Sequence, residues 1–377
     1  MQKAKVIGIV GGGQLGRMLT LAAKPLGFDV IVVDPNTNSP SAQVGAKEIT
    51  AQLYDKKALK KLAQASDYLT VEIEHLDAAT LKTIAKLGTP VNPSPDTIAL
   101  IQDKLAQKQF LKKAGIPVTD FAQINALAEA QKVFGKFGGK MLIKTRYGAY
   151  DGRGNMLVKN QTDLQNALKR FKDTKLYAER YVPFTKELAV MVARGLDGKI
   201  ITYPVVETVH RRNICLEVLV PADVSSTVQK RATTLAKKVA SLLSGAGMFG
   251  IEMFLTSEGS VLINEIAPRV HNSGHYSMDA SNISQFEQHI RAVTGLPLAQ
   301  VQMNAPAAVM INILGQRDGP TKIEGLDKAL AIKGASVHIY GKSPTKVDRK
   351  MGHITVVAND LKKARSSARK ARKLITI

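Results

Sequence analysis

Two glutamates, Glu252 and Glu265, stand in the strand-like run FGIEMFLTSEGSVLINEIA at residues 249–267. Turn formers at Ser257, Glu258, Gly259 and Ser260 divide this run into a β-hairpin. A two-residue loop at Glu258 and Gly259 sets Glu252 directly opposite Glu265. Even with another loop, one face of so short a ribbon can present both carboxylates. Like charges facing each other across a sheet destabilise it, and the neighbours Ile251, Met253, Phe254, Ile263 and Ile266 are apolar. Such a pair needs a cation or a shared proton. Mg2+ suits it, because that ion takes a few protein carboxylates and completes its shell with water and nucleotide phosphate. The alternative is two exposed glutamates at strand ends, each finding a lysine.

A second group lies upstream. The strand KMLIKT, residues 140–145, ends near Lys144 and runs into the glycine-rich stretch RYGAYDGRGN. Gly148, Gly152 and Gly154 let backbone N–H groups approach phosphate oxygens, and Arg153 adds charge. Lys104, near the start of a helix at residues 96–114, gives a second lysine. No G-K-[ST] follows, so this is not a Walker A loop. Its plain alternative is a hairpin loop.

Near the N-terminus, Gly11, Gly13 and Gly16 fit G-x-G-x-x-G between a strand and a helix, and Asp34 closes the next strand. This matches the dinucleotide fingerprint on paper, so an NAD-dependent oxidoreductase is a rival reading. A free helix N-terminus binds any phosphate, however, and a glycine turn also serves to pack helix on sheet.

The elements that must position these residues alternate. Strands at residues 5–10, 29–34 and 68–73 with helices between them read as a parallel sheet covered by helices. The turn-rich stretch PVNPSPD ends a first domain, residues 1–95. A second domain, residues 96–300, carries the glycine stretch within a small lid at about 115–178 and then strands at 175–182, 186–194 and 199–211. A third, residues 301–377, has short strands and a basic helix.

With 45% hydrophobic and 22% charged residues the chain reads as a globular α/β protein. No stretch of 18 apolar residues is present, which argues against a membrane span. Cys215 is the single cysteine, so no internal disulfide and no Cys-rich metal site can form, and a reducing cytoplasm fits. The net charge of +22 favours acidic partners without choosing among them. The densest basic run, residues 362–373, reads as a solvated terminal helix. It lacks interleaved aromatics for base stacking, which weighs against nucleic acid.

Five segments in order, GGGQLGRMLTLAAKPLG, KLAQKQFLKKAGIP, KTRYGAYDGRGN, the run from INEIAPRVHNSGHY to TGLPL, and RKMGHITV, resemble those of the N5-carboxyaminoimidazole ribonucleotide synthetase family. NEIAPRVHNSGH is the most specific of them. The resemblance spans nearly the whole chain. It implies an ATP-grasp fold with a Rossmann-like first domain, a central nucleotide domain and a small β-rich C-terminal domain. The implied reaction is carboxylation of 5-aminoimidazole ribonucleotide by bicarbonate and ATP through carboxyphosphate, in purine biosynthesis. A cytoplasmic homodimer using Mg2+, with Mn2+ as an alternative ion, is implied too. Another ATP-grasp ligase on a related ribonucleotide is the nearer rival, and the Arg-His-Asn run argues against it.

By the same resemblance, Lys104 and Lys144 hold ATP phosphates, and Glu179, Arg180, Tyr181 and Val182 form the adenine hinge. Glu187 takes the ribose, and His210 adds a nucleotide contact. Glu252 and Glu265 hold the metal, with Asn264 beside them. Ala149, Tyr150, Asp151, Gly152, Arg153, Gly154 and Asn155 form the phosphate loop, with Tyr150 and Arg153 also reaching substrate. Arg269, His271, Asn272, Arg349 and Lys350 match the ribonucleotide site. Arg269, His271, Asp151 and Arg153 are the implied catalytic residues. Ala149, Asn155, Ala189 and Val270 depart from the usual pattern.

Overall fold

A computed structural model describes residues 4–148 and 154–377. The apolar runs of the N-terminal segment become the strands Val6–Val10, Asp29–Asp34 and Tyr68–Val71, all parallel. A fourth strand, Lys47–Thr50, extends the sheet beside Asp29–Asp34. Leu62, Leu69, Val71, Leu81 and Ile98 bury one face under helices. Parallel strands need such cover, because their connections return across the sheet faces.

Among the described residues the remaining strands form two antiparallel sheets. The smaller has the order Phe121–Ile124, Leu176–Arg180, Met141–Thr145, Asn155–Val158. The larger has nine strands. It begins at Val261–Ala267 and passes through Gly247–Thr256, Phe184–Arg194, Val206–Arg211 and Ile214–Val220. It continues through Ala307–Leu314 and Lys350–Ala358 to Ala335–Ile339, while Ile200–Thr202 pairs with Phe184–Arg194. This sheet runs across the junction expected near residue 300. Leu188, Val190, Ile251, Ile263 and Ile266 pack with the helix Ser226–Leu242 beneath the carboxylate hairpin.

Several expected elements divide. The helix expected over residues 96–114 is two, Pro95–Gln102 and Lys104–Lys113. Asp103 separates them in extended backbone and caps the second, accepting from the N–H groups of Leu105 and Ala106. The strand expected over residues 199–211 also splits, with Pro204 in the gap, where a missing N–H cannot serve a ladder.

The C-terminal helix Leu361–Leu374 is not simply a solvated basic face. Ala364, Ala368 and Ala371 are buried against the sheet. Arg365 and Arg369 both reach Glu217 in the strand Ile214–Val220, at 2.7 and 2.6 Å. No described helix is long and apolar enough to cross a membrane.

Candidate active site

Glu252 and Glu265 are directly paired across the hairpin, but not for the expected reason. The loop holds three residues rather than two. Gly259 N–H donates to Thr256 O at 3.0 Å, Thr256 N–H donates to Ser260 O at 2.9 Å, and Gly259 has φ of 76°. That register pairs Leu255 with Val261 and Met253 with Ile263. A bulge between Met253 and Glu252 then absorbs one residue, Asn264, and restores the opposition of the two acids. Expected at the metal, Asn264 is thus the residue that aligns its flanking carboxylate.

The electrostatics fit a cation. Burial, then the charges of Glu265 and Glu187, push the Glu252 carboxyl up to about 8. Burial likewise raises Glu187 to about 7, against some help from Lys144. Glu187 sits on the adjoining strand, and His210 Nδ1 lies 3.3 Å from its Oε2. Lys104 Nζ lies 3.0 Å from Glu265 Oε1, and His271 Nε2 lies 3.5 Å from Glu252 Oε1. Three carboxylates thus converge with Lys104 in contact, the arrangement that a divalent ion stabilises. Glu252 and Glu265 are the pair that would hold it.

Lys144 enters from the smaller sheet. Its Nζ is 3.0 Å from Glu179 Oε2. Glu179 is itself almost wholly enclosed, receiving hydrogen bonds from Tyr177 Oη at 2.9 Å and Thr119 Oγ1 at 3.1 Å. Lys108 Nζ stands 3.5 Å away on the other side. Burial alone would raise Glu179, but Lys108 and Lys144 outweigh it and hold the carboxyl near 2. Beyond Glu179, Arg180 pairs with Asp120 at 3.0 Å, Lys140 lies over the Tyr181 ring, and Val182 is half-buried.

The glycine stretch is anchored at both described ends. Arg146 and Tyr147 both donate to the Asp103 carboxylate, and Lys104 N–H donates to Arg146 O at 3.0 Å. Asp103 thus caps the helix that carries Lys104 and ties it to the root of the loop. At the far end Asn155 pairs with Lys144, and Gly154 O accepts from Thr145 N–H. Ala149, Tyr150, Asp151, Gly152 and Arg153 lie outside the described residues.

A cationic wall adjoins the carboxylates. Arg269 forms a two-pronged pair with Glu74, with 2.9 Å from Nη2 to Oε1. Burial opposes the charge on Glu74, yet Arg269 prevails and keeps it near 2. Burial first, then Arg269 and Lys350, lower His271 to about 3, so its imidazole is neutral. Ser273 Oγ lies 2.9 Å from His271 Nδ1. Asn272 is less available than its type suggests, because its amide and that of Asn312 bond reciprocally at 3.0 and 2.6 Å. Lys350 begins the strand Lys350–Ala358, and its backbone O accepts from Lys342 Nζ at 2.9 Å. Lys342 also reaches Gln14 of the first sheet's helix. Arg349 donates to Pro344 O at 2.8 Å.

The N-terminal glycine turn is already filled. Gly13 N–H donates to Glu72 Oε1 at 2.6 Å, Gly16 N–H donates to Glu72 Oε2, and Gly12 N–H donates to Asp34 Oδ2 at 2.9 Å. A Cβ on Gly16 would strike Gly11 O and Ser41 Oγ at 2.7 Å. The glycines therefore admit a protein carboxylate to the helix N-terminus, where a dinucleotide would need its pyrophosphate. Asp34, expected at a ribose in the oxidoreductase reading, is spent on Gly12 and Asn36.

Family models match three successive segments of this chain. They are the ribonucleotide synthetase preATP-grasp domain over residues 4–102, the ATP-grasp domain over 109–286, and the phosphoribosylaminoimidazole carboxylase C-terminal domain over 308–367. The crystal structure of N5-carboxyaminoimidazole ribonucleotide synthetase from Thermotoga maritima matches with a TM-score of 0.90 at 45% identity, covering 99% of each chain. The chain belongs to the N5-carboxyaminoimidazole ribonucleotide synthetase family. The synthase of Aspergillus clavatus, solved with ADP and 5-aminoimidazole ribonucleotide, is 36% identical with a TM-score of 0.90 over 98% of each chain. A phosphoribosylaminoimidazole carboxylase from Ogataea methanolica is 44% identical over 366 residues, and the chain spans about two thirds of its length.

Within this synthetase family the ATP-grasp fold of the chain is plain, and two of its departures are small-side-chain matters. Ala189 is buried and pairs with Glu252, and Val270 is buried between Arg269 and His271. Sequence reasoning overlooked Glu72, Glu74, Asp103, Lys108 and Lys342. The first two had a signal, since acids that follow a buried parallel strand lie at its carboxyl end, where ligands bind. The other three reach Arg146, Ile263 and Gln14, which lie 43, 155 and 328 residues away and which spacing does not reveal.

Proposed function

We propose that the chain joins 5-aminoimidazole ribonucleotide, bicarbonate and ATP to give N5-carboxyaminoimidazole ribonucleotide, ADP and phosphate. The observation that carries this reading is the meeting of two side-chain clusters of opposite charge. The carboxylates Glu252 and Glu265 lie beside the lysines that suit a nucleotide. Arg269, His271 and Lys350, which suit an anionic sugar phosphate, adjoin them.

Lys104 and Lys144 neutralise phosphate oxygens, with Lys144 aimed by Glu179. Glu187 accepts from the ribose hydroxyls, and the backbone at Arg180 and Val182 reads adenine. Glu252 and Glu265 would hold Mg2+, which would supply charge neutralisation on the phosphates. A bicarbonate oxygen attacks the γ-phosphorus, ADP leaves, and carboxyphosphate forms. The amine of the ribonucleotide then attacks its carbonyl carbon, or CO2 released from it, and phosphate departs. Neutral His271 can accept a hydrogen bond from that amine, while Arg269 stabilises charge on the carboxylate being transferred. Lys350, Arg349 and Lys342 offer cations for the 5′-phosphate. Carboxyphosphate hydrolyses readily, and keeping water from it is the role proposed for Tyr150, Asp151 and Arg153 of the glycine stretch. Bicarbonate as donor, Mg2+ as ion, a homodimer and a cytoplasmic location belong to the same proposal.

The test is ADP release measured with each substrate omitted in turn. Release that needs both bicarbonate and aminoimidazole ribonucleotide supports the reading. Equal release without either one contradicts it.

A further inference from the structure

Away from the carboxylate hairpin, three side chains from three elements converge. Asp279 lies in the short helix Ser277–Ala280, His338 in the strand Ala335–Ile339 and His353 in the neighbouring strand Lys350–Ala358. His338 and His353 face each other directly across the two strands. One potential ligand atom from each of the three lies within 4.8 Å of the others. His338 Nε2 sits 3.0 Å from both oxygens of Asp279. The two imidazoles stack at 4.6 Å between ring centres.

We infer that Asp279, His338 and His353 form a second, non-catalytic metal site for Zn2+ or a similar borderline divalent ion.

Three observations carry this. The donor set of two imidazoles and one carboxylate is the one such ions prefer, whereas Mg2+ takes oxygen. His353 is wholly buried, and its Nε2 has no hydrogen-bond partner. A buried imidazole nitrogen is costly to leave unmade, and a metal ion would satisfy it. The third observation is the support behind that ring. Tyr340 Oη lies 2.8 Å from His353 Nδ1. With Nδ1–H donated to the tyrosine oxygen, Nε2 keeps its lone pair, the tautomer that a metal-binding histidine needs.

The tetrahedral edge around Zn2+ is roughly 3.3 Å; Asp279 and His338 already stand at 3.0 Å, and His353 needs to close by at most about 1.5 Å. Asp279 and His338 are partly exposed, which provides entry and leaves a coordination position for water. The ion would tie two C-terminal strands to the helix that follows the Arg269–His271 segment, bracing that wall from behind. None of the three residues serves the nucleotide or the ribonucleotide in the proposed reaction, so this inference stands apart from it.

The test uses the full chain, free of any histidine tag and stripped by chelator, without ATP or Mg2+. Co2+ is titrated while visible absorption is followed, and Zn2+ is then used to displace it. One equivalent should bind with bands of nitrogen ligation. Asp279→Asn and His338→Gln should each weaken binding at least tenfold, as should Tyr340→Phe by a smaller factor, with circular dichroism unchanged. Glu252→Gln should bind Co2+ like the wild type. Absence of saturable binding by the wild type at about 100 µM Co2+ overturns the site. So does equal binding in the Asp279 and His338 variants.

Discussion

The glycine turn at Gly11 to Gly16 and the hairpin at Glu252 and Glu265 are electrostatic opposites. The turn is an anion site that contains its own anion, because Glu72 and Asp34 occupy its N–H groups. The hairpin is an anion cluster with Lys104 as the lysine in contact, and the Glu252 carboxyl is driven up to about 8. A satisfied arrangement serves folding, while an unsatisfied one waits for a ligand. Both regions carry motifs that suggest nucleotide chemistry, and only the balance of charge separates them.

The largest effect should come from the unsatisfied side. Glu265→Ala should reduce turnover roughly 100-fold or more, by removing phosphate neutralisation that matters most in the transition state. Thermal unfolding should change little, since the residue is partly exposed. Near-normal turnover would move the metal role elsewhere. On the satisfied side the signs reverse. Glu72→Ala should cost about 1–3 kcal/mol of stability in urea unfolding, because it leaves N–H groups of Gly13 and Gly16 unpaired. NAD should still fail to bind. A variant that gained NAD affinity without losing stability would show that the turn is a ligand site after all.

The same contrast explains what the sequence could reveal. The hairpin was legible because alternation and turn residues are local, and the opposition of Glu252 and Glu265 followed from them. It followed by two cancelling errors, a longer loop and a bulge at Asn264. Three of the four parallel strands at the N-terminus were legible from their apolar runs, while Lys47–Thr50, with the sequence KEIT, was not. The strand Ile214–Val220 was not, because Glu217 sits in its middle and reads as solvent-facing. Arg365 and Arg369, about 150 residues away, neutralise it there. The break at Asp103 was hidden for a related reason. An aspartate inside a helical pattern does not show that Arg146 and Tyr147 will hold it as a cap. Long-range charge pairing, rather than local propensity, accounts for most of what spacing missed.

The account rests on Glu252 and Glu265 jointly binding the divalent ion that accompanies the nucleotide. Isothermal titration of Mg2+ into the ADP-bound protein from pH 6 to 9 tests this most directly. Since the raised Glu252 carboxyl must lose its proton to ligate, affinity should climb with pH and level off above about 8. The same proton sets a second sign. The folded state holds it more tightly than the unfolded state, so without metal the thermal midpoint should fall as pH rises from about 4.5 through 8. Glu252→Gln should remove the part of both trends between about pH 7 and 8, leaving in the thermal midpoint the fall that the raised Glu187 causes up to about 7. A Mg2+ affinity that is independent of pH and unchanged in Glu252→Gln would contradict the central claim.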